Sequence, residues 1–586
     1  LKVIKIGIVV ALLLMTLRLI DLQVFRHSQY QQDANQQLRA TISIPAIRGG
    51  IFDRNGAVLA MSVPTKEVIA DDFQITQPAK EALALSPLLG VPVGTLIPEL
   101  QRRSGYVILQ SHLATSKATT VASDNFPGIT MVDTAQRTVP NGALGLSVLG
   151  LTNSRGLGAA GLEYQYQKLL AGTTGSTTLL ETPFGVSFPQ TKATQTTSAV
   201  AGTGLELTVD QPLQYVTEQA LGAQILATHA LSGTAIVMDT RTGQILSMAN
   251  LVATGQTSGP VTSPLASQAP SGIAGIAQAQ NNLAVTQTYE PGSVFKLVTF
   301  TAALDAGLIS PTTAFGIPSQ VTVDGSVFHD AEQHGAESLT AEQILALSSN
   351  IGTYEIANKL GENQLLAQVE RLGFGQATGL NFPGESSGLL MNTARWEPTD
   401  IAALPIGQVD SATPLQMLDA YNAVANDGIF VAPQLVRATV AADGTLTPTA
   451  ASASHRVMTP ATAATMNTML QEVISAGTGA KAAIPGYLIA GKTGTAQIPS
   501  NSTASYVAGA YNATFVGFAP ADHPVLSAIV VLQRPTTPDY FGGDTSAPVF
   551  AKIMSYALHR YGVPTSPGGS GAQTSAANTN SAAEST

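Results

Sequence analysis

The chain has 586 residues and a net charge of −10; 44% of its residues are hydrophobic and only 11% charged, where an average domain carries about 25%. That length allows two to four domains of about 150 residues, and the acidic balance argues against a nucleic-acid partner, which needs a basic face. There is no cysteine, which excludes disulfides, thiolate metal sites and a cysteine nucleophile.

The first element is apolar. Ile6 to Leu17 carries no charge and is bounded by Lys2 and Lys5 before and by Arg18 and Asp21 after. The run is shorter than the roughly 20 residues that span hydrocarbon. However, Leu19, Ile20, Leu22, Val24 and Phe25 extend it, and Lys5 and Arg18 can snorkel. No small-x-small cleavage pattern follows. The expectation is a short cytoplasmic end (1–5) and an uncleaved transmembrane anchor (6–25), with Lys2 and Lys5 holding the N-terminus inside and the rest of the chain outside.

Residues 26 to about 45 read as a Gln-rich polar stalk. A mixed α/β region follows, with Arg48-Gly-Gly-Ile-Phe-Asp-Arg-Asn-Gly56 containing an Asn-Gly turn. The Thr-, Gly-, Ser- and Ala-rich stretch 171–203 closes this region, giving a stalk-and-pedestal unit over 26–203. The next domain is expected over 204–562. It starts with strand-like runs at 234–238 and 244–248 around a hairpin at Asp239–Gly243. A mainly helical stretch follows, then strands at 487–498, 513–519 and 526–532, and a closing helix over 547–559. Two strands, a helical insertion and three strands give an α+β layer fold, five strands with flanking helices. From Pro564 on the residues cannot form a core, so 563–586 reads as a disordered tail.

Three motifs carry the chemistry. In Ser293-Val-Phe-Lys296, Pro291-Gly292 breaks the chain, and Val294, Leu297, Val298, Thr301 and Leu304 then recur at helical spacing. Ser293 therefore sits at a helix N-terminus, where free N–H groups favour developing negative charge. Lys296 lies one turn on, within reach of the Ser293 oxygen. A serine needs an adjacent base, and a lysine serves only if burial or positive charge lowers its pKa.

In Ser348-Ser349-Asn350, a Thr340/Gln343 capping box opens a short helix that should end at this triplet and leave it in a loop. Ser348 can relay a proton, and Asn350 can orient Lys296 and bind a substrate amide. In Lys492-Thr493-Gly494-Thr495, on a strand, Gly494 leaves room for a ligand backbone, and Lys492, Thr493 and Thr495 can hold a carboxylate. Lys492 and Thr493 would face opposite sides of a regular strand, so serving one site requires a twist or bulge.

Each triplet alone is commonplace. Ser123-Asp124-Asn125 and Arg241-Thr242-Gly243 fit the second and third patterns by chance, one in the pedestal region and one at a hairpin turn. The ordered set of three carries the reading.

With these motifs in place the chain resembles the class B penicillin-binding proteins, from the anchor to about residue 562. Tyr289 to Lys296, Glu332-Gln-His-Gly335, Leu347 to Gly352, Phe374 to Gly379, Pro383-Gly-Glu385, Leu404 to Gln408 and Gly542 to Phe550 are similar to family landmarks. Arg48 to Gly56, Arg137 to Pro140 and Gly161 to Tyr164 resemble its pedestal motifs. The family often has glycine after Gly-Gln; here Val409 follows Gln408.

The resemblance implies a D,D-transpeptidase that crosslinks peptidoglycan stem peptides, its catalytic domain a five-stranded antiparallel sheet flanked by helices. Ser293 is the nucleophile, Lys296, Ser348, Asn350 and Lys492 are catalytic, and Thr493, Gly494 and Thr495 bind substrate. The backbone N–H groups of Ser293 and Thr495 form the oxyanion hole. β-Lactams are expected as covalent inhibitors, and no metal or cofactor is implied. The modest pedestal and the stretch Leu404 to Gln416 lean toward the septal, FtsI-like type. Its partners would then be a polytopic glycan polymerase and other divisome membrane proteins, at the plasma membrane. The alternatives are an elongation-type enzyme, a β-lactamase or β-lactam sensor, a D,D-carboxypeptidase, and a catalytically silent division scaffold.

Overall fold

A computed structural model describes residues 2–31, 39–180, 195–254, 273–391, 397–500, 505–536 and 539–567. The chain begins as an α-helix, Lys2–Ile20, that continues as a π-turn, Asp21–Phe25, with its apolar side chains exposed. It is long and apolar enough to cross a membrane.

Two compact units follow from the packing. The smaller comprises 1–49, 62–138 and 168–203, and the larger 50–61, 139–167 and 204–586. Residues 50–61 and 139–167, from within the expected 26–203 unit, belong to the larger unit.

In the smaller unit, helices Pro78–Leu89 and Val93–Leu100 bury Leu85, Leu89, Leu96 and Leu100 against Val68, Val107 and Leu113. The expected stalk ends earlier than its composition suggests. Arg39–Ile44 is a strand that pairs antiparallel with Gly175–Leu180. Alternation of Ile42 and Ile44 with polar neighbours is the signal that the Gln-rich composition masked.

The larger unit is built on a fully antiparallel sheet in the order Ile276–Gln278, Ile245–Ala253, Ser232–Asp239, Leu526–Gln533, Tyr506–Ala519, Ala490–Pro499. The five expected strands are joined by a short sixth, Ile276–Gln278. The Asp239–Gly243 turn closes as the composition requires. Asp239 Oδ1 accepts the N–H groups of Arg241 and Thr242 and the Thr242 hydroxyl, and Gly243 takes φ +68.

Alternation divides the sheet's faces. Val237, Leu251, Phe515 and Val530 meet helices Gln211–Thr228 and Ala547–Arg560 through Leu221, Ile225, Phe550 and Met554. Ser527 points the other way and donates to Asn422 Oδ1 at 2.7 Å on helix Pro414–Ala425. Burial of this many large apolar side chains, at about 1.5–3 kcal/mol each, makes the sheet a rigid frame for its last strand, Ala490–Pro499.

The tail begins later than expected. Ser566 is buried, its N–H donates to Gly486 O at 2.9 Å, and its hydroxyl donates to Asp522 Oδ1 at 2.6 Å. The rest of the expected tail, 568–586, lies outside the described residues.

Candidate active site

The turn that carries Ser293 is a 3₁₀ turn, Gly292–Phe295, that feeds directly into the α-helix Lys296–Asp305. Gly292 stands at φ +61, and its N–H donates to Gly407 O at 2.9 Å. Gly407, at φ +83, packs so closely that a Cβ there would lie 2.1 Å from Gly292 O. Val294 O accepts the buried Tyr421 hydroxyl at 2.9 Å. Ser293 is therefore fixed by backbone and by a long-range tyrosine. Gly292 spends its N–H on Gly407 O, but no side-chain cap serves the turn, which leaves the Ser293 N–H for charge developing on a substrate.

The second motif joins two helices instead of lying in a free loop. The first helix, Ala341–Ala346, opens with the expected Thr340/Gln343 capping box. It ends with Ser348 N–H on Leu345 O and Ser349 N–H on Ile344 O, the two bonds of a Schellman stop. Ser348 occupies the left-handed position at φ +62, where glycine is usual. Such a residue costs about 1 kcal/mol or more, and its carbonyl and hydroxyl both meet Lys296. Ser349 then caps the next helix, Asn350–Leu360, by accepting Gly352 N–H at 2.9 Å. Asn350 is thus the first residue of a helix, which corrects the loop expectation and explains how so short a side chain is held in place.

Lys296 is fully buried. Its Nζ donates to Ser348 O at 2.5 Å, Asn350 Oδ1 at 2.9 Å and Ser348 Oγ at 3.3 Å. Burial, and next the Lys492 charge, pull its pKa well below the usual lysine range, while Asp330 acts in the opposite sense. Among the described residues no hydrogen bond joins Lys296 to Ser293. The amine is held one step back, by the second motif.

Lys492 is also fully buried, and desolvation brings its pKa down to about 7. Pairing with the neighbouring strand is regular from Ala490 to Gln497, so the expected bulge at Lys492–Thr493 is absent. The long side chain instead curls back to Thr493 O at 3.1 Å and Thr493 Oγ1 at 3.4 Å, joining the two faces. Thr493 Oγ1 also meets Thr478 Oγ1 at 2.6 Å, and Thr495 Oγ1 accepts Gly542 N–H at 3.0 Å. Gly494 makes room for the Ser293 turn: a Cβ there would lie 3.0 Å from Pro291 O and from Val294. The close approach that a strand glycine implies is here, at least in part, to Ser293's own turn.

The two chance triplets take no part. Ser123 ends a helix of the smaller unit, and Arg241–Gly243 forms the hairpin turn. Sequence reasoning missed Asp330, which accepts from Ser349, Asn350 and Ile351, as well as Tyr421 and Glu290. Glu290 accepts Tyr506 Oη at 2.9 Å and the N–H of Val409. Val409, where the family often has glycine, stands at φ +79. That signal was in the sequence, since a β-branched residue is strained in that region.

Two family descriptions match the chain: penicillin binding protein transpeptidase domain over 233–555 and penicillin-binding protein dimerisation domain over 43–207. The chain is 33% identical to penicillin-binding protein PbpB of Mycolicibacterium smegmatis, over 96% of this chain and 90% of that protein. It is 28% identical to the Escherichia coli peptidoglycan D,D-transpeptidase FtsI, over 94% and 90%. The solved structure of penicillin-binding protein 3 from Mycobacterium tuberculosis complexed with aztreonam is similar with a TM-score of 0.68 at 29% identity, covering 90% of this chain and 98% of that one. Sheet, paired helices and full-length likeness agree: the chain belongs to the class B penicillin-binding proteins, the peptidoglycan D,D-transpeptidases.

Proposed function

We propose that this transpeptidase works through an acyl-enzyme on Ser293. The observation that carries the reading is Lys296: a fully buried amine, held by Ser348 and Asn350, whose charge is disfavoured by burial and by a second buried lysine. Neutral Lys296 takes the Ser293 proton as the oxygen attacks the D-Ala–D-Ala carbonyl of a donor stem peptide. The backbone N–H groups of Ser293 and Thr495 receive the oxyanion.

Ser348 passes the proton to the departing D-alanine amine. A neighbouring stem's amine then attacks the ester and regenerates Ser293. Charged Lys492, with Thr493 and Thr495, holds the donor carboxylate, and Gly494 keeps the strand close enough for Thr495 to serve. β-Lactams enter the same path and stay as esters of Ser293, in line with the aztreonam complex of the similar structure.

We place the enzyme at the septum. The likeness to FtsI over most of both chains and the Leu404-to-Gln416 stretch support that role over lateral-wall elongation. Residues 204–562 form the catalytic domain and 26–203 the greater part of the pedestal. The N-terminal helix (6–25) is an anchor in the plasma membrane, with residues 1–5 inside and the catalytic domain outside. The pedestal and anchor would meet a polytopic glycan polymerase and other division proteins.

Two experiments test this. Incubation of the full chain with a donor stem peptide and an acceptor amine should give crosslinked product and free D-alanine, and Ser293→Ala should give neither. Hydrolysed donor without crosslink would make the protein a carboxypeptidase. A fluorescent fusion should gather at midcell; an even distribution along the lateral wall would point to elongation.

A further inference from the structure

Asp330 lies outside every motif, yet it holds the second one at two residues and the residue after it at a third point. Its Oδ1 accepts the N–H groups of Asn350 and of Ile351 (3.0 Å), and its Oδ2 accepts Ser349 Oγ at 2.7 Å. These are the opening N–H groups of a helix, which lack intrahelical partners and favour a carboxylate. The same Oδ2 also meets His334 Nε2 at 3.1 Å.

We propose that Asp330 is a positioning residue and His334 its pH-sensitive clamp, the pair together setting the charge that Lys296 feels and so the pH at which Ser293 is activated. The proposal rests on the reading of Lys296 as the base for Ser293.

Asp330 reaches Lys296 in two ways. Mechanically, it pins the start of helix Asn350–Leu360, whose Asn350 Oδ1 takes Lys296 Nζ at 2.9 Å. Electrostatically, its negative charge favours the protonated amine and opposes burial and Lys492.

His334 stands among acceptors on both sides. Nε2 faces Asp330, while Nδ1 faces Gly335 O at 2.7 Å and Glu337 Oε1 at 3.2 Å. A neutral imidazole carries one N–H and cannot serve both sides; the imidazolium can. Its pKa is accordingly raised, first by the Gly335 carbonyl and then by Asp330 and Glu337. The charged groups acting on His334 are these two carboxylates. Lys296 on the nucleophile helix and Lys492 on the edge strand are the charges across the site.

With His334 charged, Asp330's pull on Lys296 is partly cancelled, and Lys296 releases its proton more readily. Once the pH rises through the raised His334 pKa, the imidazole loses its charge and one side of the clamp opens. Asp330 then acts on Lys296 at full strength. The two substitutions must therefore act with opposite sign. His334→Gln removes the cation, so the acid limb of acylation moves to higher pH, by about half a unit. Asp330→Asn removes the anion, and the limb moves to lower pH by about as much. Structural damage alone lowers the rate but does not move the limb in opposite directions.

The experiment is the rate of acylation by a fluorescent penicillin as a function of pH. It uses the full chain in detergent, as wild type, His334→Gln and Asp330→Asn, with thermal midpoints to check folding. Opposite shifts support the proposal. Unchanged limbs, or shifts in one common direction, overturn it while leaving Ser293 and Lys296 in their roles. If Asp330→Asn does not fold, the His334→Gln limb decides alone. A wild type that takes no penicillin at any pH overturns the underlying reading, and the proposal with it.

Discussion

Two helix starts meet at this site, and they are built in opposite ways. The start at Asn350 is saturated: Ser349 caps it with its own hydroxyl, and Asp330 takes two further N–H groups and that hydroxyl's proton. The turn at Ser293 has no side-chain cap and is held from behind, by Gly407 O, Tyr421 Oη and the close approach of Gly494. A helix that only positions a side chain can spend its N–H groups on fixed partners. One that must receive a substrate's developing charge has to be rigid while leaving the receiving N–H unspent. That difference explains why the positioning residues around Ser293 are glycines and distant side chains, whereas those around Asn350 are acceptors.

The comparison can be broken at the Ser293 turn first. Gly407→Ala places a Cβ 2.1 Å from Gly292 O in a backbone conformation that disfavours alanine. It should lower the penicillin acylation rate by about 10³-fold or more and destabilise the fold by about 3 kcal/mol. A fully acylating variant would mean that the backing loop does not position Ser293.

Asn350→Ala tests the other start. It leaves Asp330's backbone contacts in place but removes one of the acceptors that hold Lys296, so acylation should fall about 10²-fold with the thermal midpoint nearly unchanged. An equal loss of stability would make Asn350 a structural residue.

The two buried lysines sharpen the comparison through pH. In the proposed mechanism Lys296 is the neutral amine, so acylation should be lost as pH falls through its lowered pKa. In the same mechanism Lys492 is the cation, so productive binding should be lost as pH rises through about 7, at about tenfold per unit. Lys492→Arg, whose charge does not titrate in this range, should abolish that alkaline limb in kcat/KM. A limb that persists would belong to another group.

The smallest effect expected is at Val409. Glycine there relieves a φ of +79 in a half-buried loop and should stabilise the protein by about 1 kcal/mol, the strain less the added chain entropy. Differential scanning calorimetry reads it; a lower midpoint would show that Val409's packing outweighs its strain.

Much of this was legible in the chain because it is local. The Pro-Gly break before Ser293, the Thr340/Gln343 box, the Asp239–Gly243 turn and the closing helix each depend on neighbours within a few residues. The illegible part depends on distance. Asp330 meets Asn350 across 20 residues and Tyr421 meets Val294 across 127, and nothing near either partner in the sequence announces the pairing. Gly494 was read as space for a ligand, since a strand glycine implies a close approach but does not say by what. Lys492's reach around Thr493 was missed because period-2 reasoning places side chains by their Cβ and neglects a long flexible stem.

The central claim is that Lys296 activates Ser293 as the acylated nucleophile. The most direct test is labelling of the full chain by a fluorescent penicillin, with residual drug measured, beside Ser293→Ala and Lys296→Ala. The account predicts a long-lived adduct on the wild type and none on either variant, with unbound drug left intact. An adduct that survives in Ser293→Ala, or drug consumed by the wild type without a lasting adduct, would contradict it.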